Sequence, residues 1–142
     1  MRDFVETRII EAVRGLLAGR VNEMLQGLEY SVPGIEFGGY GVSPEIELIS
    51  CESTEKERIV RQDAYSLIIT ISLPDIEESE LYCYVYSGAI SRAICDDPTL
   101  GGVVTRAVIT GKKYLEPKVK HCGEGWGVVI SLRVTIETTG GE

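Results

Sequence analysis

The sequence is poor in the features that mark an enzyme or an exported protein. It has one histidine, His121, which sits beside Cys122. A metal centre needs more ligands than these two supply, and a thiolate–imidazole pair needs a third group to hold it. Neighbouring residues on an extended segment point to opposite faces, so the two do not converge. The cysteines, Cys51, Cys83, Cys95 and Cys122, are scattered, with no disulfide framework or metal-knuckle spacing. Near the N-terminus Glu6, Arg8, Glu11 and Arg14 interrupt the apolar residues. That pattern predicts no signal peptide and a protein that is not secreted. No apolar run approaches the roughly 20 residues of a membrane-spanning helix, so no membrane partner is expected. Positive charge is scarce too. Lys and Arg number 14 against 22 Asp and Glu, for a net charge of −8. Such a chain lacks the basic footprint of a sequence-specific nucleic-acid binder.

What the chain does have is periodicity. Its 142 residues predict a single domain with a core of its own. Phe4, Ile9, Ala12, Val13, Leu16, Leu17, Val21, Met24, Leu25 and Leu28 form a broad apolar stripe, which predicts a first helix over residues 1–28, capped by Asp3. Pro33, Gly34, Gly38, Gly39 and Gly41 then mark a loop, with a short extended piece at 35–37. Strands are expected within 44–73. Residues 45–51 alternate, and in 64–73 Tyr65, Leu67, Ile69, Ile71 and Leu73 point one way. A second helix is expected over 75–96. Asp75 and Glu78 supply a capping-box pattern, Tyr82, Val85, Tyr86, Ala89, Ile90 and Ala93 one apolar face, and Gly88 a place for close approach. Pro98 stops this helix at about Cys95–Asp96. Two or three strands follow within 103–137, one broken at Gly111 and another at Pro117. The last has Trp126, Val128, Ile130, Leu132, Val134 and Ile136 facing inward. Residues 138–142 read as a frayed tail. The order predicts an α+β two-layer domain: a mainly antiparallel sheet with two helices packed on one face.

Several constellations mimic chemistry. Gly123-Glu124-Gly125-Trp126-Gly127 is a glycine-rich run, but a phosphate loop must open a helix and here a strand follows, so the run reads as a turn. Glu77 and Glu78 suit a helix N-terminus, and Asp96 and Asp97 a turn, better than they suit acid–base work. No catalytic residue, metal site or cofactor is expected. Two charged stretches remain. Residues 52–61 carry Glu52, Glu55, Lys56, Glu57, Arg58 and Arg61, a solvated hairpin tip or a contact arm. Lys112, Lys113, Lys118 and Lys120 form a basic cluster, which either guards a sheet edge or docks an acidic patch on a neighbouring copy or DNA phosphates.

The run Asp97-Pro98-Thr99-Leu100-Gly101-Gly102-Val103-Val104 follows an amphipathic helix and precedes a strand. In this it resembles the tail-terminator and tail-completion (minor tail) proteins of long-tailed bacteriophages and prophages. The order of elements is similar too. The Gly-rich loop 34–41 and the four lysines have no counterpart in that motif. The resemblance implies a non-enzymatic structural protein of the virion, found there or in the bacterial cytoplasm during assembly. It implies a homo-oligomer, often a hexameric ring, that contacts tail-tube and head–tail connector proteins. The turn segment Asp97, Pro98, Thr99, Leu100, Gly101, Gly102 is the family-like element. The two charged stretches are the candidate subunit contacts, since a ring needs two complementary surfaces on each copy. Two rival readings are a small acidic binding module of the immunity type, masking a basic protein partner, and a thiol enzyme using Cys83 or Cys122.

Overall fold

Two strands form as their alternation predicts, and they lie side by side. A computed structural model of the chain describes residues 4–29, 31–38, 41–57, 60–74, 76–117 and 125–139, without the side chains of Lys56, Glu57 and Thr139. Strand β2 (Val60–Leu73) pairs antiparallel with β4 (Trp126–Thr139), from Val60 opposite Thr139 to Leu73 opposite Trp126. Tyr65, Leu67, Ile69 and Ile71 of β2 and Val128, Ile130, Leu132 and Val134 of β4 are buried. They form the floor of the core. Strand β1 (Glu45–Glu57) flanks β2, and β3 (Arg106–Leu115) flanks β4. The four-stranded sheet therefore runs β1-β2-β4-β3, antiparallel throughout, with β1 and β3 as its edges.

The helices cover one face, as an α+β two-layer domain requires. The first is a continuous helical rod in three parts: α1 (Val5–Leu16), a π-helical turn (Leu17–Val21) and α2 (Asn22–Gln26). It lies over β1 and against α3 (Ser79–Asp96), which spans β2, β3 and β4. The rod buries Ile9, Val13, Leu17, Val21 and Leu25, one residue in every four. An α-helix turns once in 3.6 residues, so such a row drifts about 40° per step. The wider i→i+5 winding of the π turn takes some of that drift back and keeps the row on the core.

Several boundaries differ from the sequence reading. The rod's N-cap position falls on Phe4, which is 72% exposed, and Leu28 also faces solvent. Helix α3 starts at Ser79, not at 75. Its N-cap, Glu78, is in helical geometry and makes no side-chain capping bond, so no capping box forms through Glu78. Asp3 and Asp75 lie outside the described residues. The buried face of α3 is turned toward Cys83, Ser87 and Ile94 as well as Tyr86, Ile90 and Ala93. Gly88 is exposed, and a Cβ there would meet nothing within 4 Å, so it serves no close approach. The expected break at Gly111 is a bulge between Ile109 and Gly111 that β3 passes through. Thr138 and Thr139 are paired with Arg61 and Val60 rather than frayed.

The Pro/Gly loop is tied down by side chains. Asn22 presents its amide to Ile35 as another strand would. Its Nδ2 donates to the Ile35 carbonyl and its Oδ1 accepts the Ile35 N–H, both at 2.7 Å. Tyr82 Oη donates to the Ser31 carbonyl at 3.2 Å, and Tyr86 Oη to that of Pro33. Val42 closes the loop by a parallel bridge to Ile35, where a short extended piece was expected.

Candidate functional site

The family-like turn is a joint between α3 and β3, and its polar groups are spent on its own geometry. Asp97 Oδ2 accepts the Gly101 N–H at 2.9 Å and its Oδ1 accepts the Thr99 hydroxyl at 3.3 Å. Thr99 Oγ1 accepts the Gly102 N–H at 3.2 Å. Pro98 gives its carbonyl to the Ala107 N–H at 2.7 Å, which fastens the joint to β3. Leu100, Gly101 and Gly102 have φ of 50°, 72° and 87°. For a leucine, left-handed backbone costs about 1–2 kcal/mol. Burial of the Leu100 side chain, 4% exposed, offsets that cost. Nothing in this segment is left to do chemistry.

The charged stretch 52–61 is the far end of a long β1–β2 hairpin. β1 runs on to Glu57 and β2 begins at Val60 because β4 extends beside them. Residues 51–55 are exposed on both faces. Glu52 and Glu55 thus face solvent, while Arg58 and the Lys56 and Glu57 side chains lie outside the described residues. Arg61 is already engaged. Its Nε lies 3.1 Å from Asp63 Oδ1, which also accepts the Ser53 hydroxyl at 2.5 Å. Among the described residues the arm is therefore partly self-satisfied, and Glu52 and Glu55 are the charges it leaves to solvent.

The basic cluster is split by the pleat. Lys112 points toward α3, where Nζ donates to the Ser87 carbonyl at 3.3 Å. Tyr114 follows on that side, with its hydroxyl hydrogen-bonded to Ser87 Oγ at 2.8 Å and its ring edge-on to Tyr84. Lys113 faces the uncovered side of the sheet. Lys118, Lys120, His121 and Cys122 lie outside the described residues.

That uncovered face carries two of the candidate contacts, Glu52 and Lys113, beside charges the sequence reading did not single out as contacts. Along β1 it bears Glu45, Glu47 and Glu52, along β3 Arg106 and Lys113, and along β4, between them, Arg133 and Glu137. Acids therefore gather at one sheet edge and bases at the other. Isolated charges on strands show this only once the strand order is known. Asp96, the last residue of α3, lies 3.8 Å from Arg20 and 3.9 Å from Arg92, which makes it a surface link between helices.

Of the two candidate nucleophiles, Cys122 lies outside the described residues and Cys83 is not placed for nucleophilic chemistry. Cys83 is buried, and burial, with Glu80 nearby, pushes its thiol above the ordinary range, away from the reactive thiolate. Cys51 and Cys95 are exposed and free. In the folded protein, Cys83 should react with iodoacetamide at least tenfold more slowly than either, as read by mass mapping of alkylated peptides. Fast labelling of Cys83 would revive the thiol-enzyme reading. Among the described residues no group of His, Cys, Asp and Glu could hold a metal ion, and no helix is long and apolar enough to cross a membrane.

The site and fold together define an α+β domain whose two sheet edges carry opposite charge. The chain matches no family model and no curated protein sequence.

Proposed function

We propose that this chain is a non-enzymatic structural protein of a phage or prophage tail. It oligomerises, as a ring, at the tail end or neck, where it stops tube growth and receives the head–tail connector. The observation that carries the reading is the sorting of charge between the two sheet edges, acidic on β1 and basic on β3. A ring of identical copies needs two different, complementary surfaces, and opposite edges of one sheet supply them. The placement at a tail rests on the resemblance of the 97–102 turn and on the element order helix, two strands, helix, two strands. The acidic β1 edge also favours a second reading, a module that masks a basic protein through Glu45, Glu47, Glu52 and Glu55.

The test is polymerisation of the cognate tail-tube protein with and without this chain, followed by negative-stain microscopy. A tail-end protein should shorten the tubes and decorate one tip. Tubes of unchanged length with bare ends would reject the reading, and tight one-to-one capture of a basic partner would replace it with the second.

A further inference from the structure

We infer that copies join head to tail along their sheet edges, β3 of one copy beside β1 of the next. The inference rests on the ring reading and names its contact surfaces. On the uncovered face one cross-strand row runs Glu45, Thr70, Val129, Lys113, and another runs Glu52, Ala64, Thr135, Arg106. Each row starts with an acid on β1 and ends with a base on β3. Equal stretches of chain separate Glu45 from Glu52 and Arg106 from Lys113, and each stretch holds one bulge. The two rows therefore match at a single register. A second copy set alongside brings Lys113 next to its Glu45 and Arg106 next to its Glu52 together. In the order β1-β2-β4-β3 the two edge strands run in opposite directions, so the junction keeps the antiparallel alternation of the sheet.

Between the charged rows, beside Glu47 on β1 and Lys112 on β3, the edges also carry apolar side chains. β1 carries Ile49 at its bulge, 53% exposed. At the same height β3 borders a cleft of 510 Å³ between itself and α3, lined by Ile94, Cys95, Pro98, Val108 and Ile109. Pro98 already occupies the Ala107 N–H. Side chains thus carry the contact around Arg106, and backbone pairing is confined to the part of β3 beyond its bulge. Charges that merely guard edges against aggregation work with any sign. Like signs on both edges would hold copies apart, whereas opposite signs in matched rows draw them together. Exposed ion pairs are individually weak. The apolar centre supplies most of the attraction, and the charges set which edge is met and in what register.

Sedimentation velocity over a range of protein and salt concentrations tests this with three variants. Wild type should form a discrete species larger than a dimer, weakened by salt. Arg106→Glu and Glu52→Arg each should weaken association about tenfold or more. The double variant, with the signs exchanged, should recover it. Both positions are exposed, so folding is not at stake. A ring insensitive to the single reversals, or a double variant no better than either, overturns the edge assignment and leaves the ring standing. A closed dimer, or a monomer at every concentration, overturns head-to-tail joining, while tube capping is read separately by microscopy.

Discussion

Replacing Gly125 with alanine should lower the unfolding free energy by about 3 kcal/mol, the upper range for forcing an atom into a packed site. A Cβ there would collide with the Leu73 carbonyl oxygen and stand 3.0 Å from its carbonyl carbon and 3.2 Å from that of Pro74. These are backbone atoms at the end of β2, so no side chain can swing aside. The end of β2 and the start of β4 must separate, which loosens the pairing of Leu73 with Trp126. Two positions later, a Cβ on Gly127 would meet the Ile71 carbonyl at 3.0 Å, so close approach recurs along this end of β4. Gly125 and Gly127, the described glycines of the run that mimics a phosphate loop, let two strands come together. Urea unfolding reads the effect, with Gly88→Ala as the control. In the open helix interior at Gly88, alanine should stabilise by up to about 1 kcal/mol. An unfolding midpoint for Gly125→Ala equal to wild type would remove this account.

The second large effect is expected from Asn22→Ala, a loss of about 2–4 kcal/mol. The substitution removes both hydrogen bonds to Ile35, a residue only 3% exposed, and leaves a buried N–H and a buried carbonyl unpartnered. Each such group costs about 1–3 kcal/mol. Asn22→Asp is informative because it keeps an acceptor for the N–H but sets a carboxylate oxygen against the Ile35 carbonyl. It should be at least as damaging as alanine at neutral pH. Hydrogen exchange at the Ile35 amide locates the effect. Full protection of that amide in Asn22→Ala would show that the loop is held by Tyr82 and Tyr86 instead.

Much of the fold was legible because β2 and β4 are central strands with one buried face, and alternation is the direct imprint of that burial. Pro98 likewise announces the end of α3 at Asp96. The outer parts of β1 and β2 were not legible, since residues 52–55 and 60–63 bury little and are held by neighbouring strands rather than by an apolar pattern. The bulge at Gly111 hid the run of β3, because it exchanges the faces on either side and made one strand read as two. For the candidate surface, Glu52, Glu55 and Lys113 were visible as charges. That Lys112 turns to Ser87 and Arg61 to Asp63 depends on contacts no spacing encodes. Arg106 and Glu45 gain meaning only from a strand order in which β3 and β1 are the outermost strands.

The π turn in the N-terminal rod sets an angular phase. Each residue added to or removed from a helix rotates everything beyond it by about 100°. The wider winding of Leu17–Val21 houses a surplus residue without that rotation, and so keeps all that follows on its bearing, Asn22 first. Wound as plain α-helix with the same residues, the rod would still present Ile9 and Val13 to the sheet. It would then swing Asn22 off Ile35, and with it the clasp on the loop that leads into β1. The bearing of the acidic edge is thus linked to the winding of a single turn in a helix on the other layer.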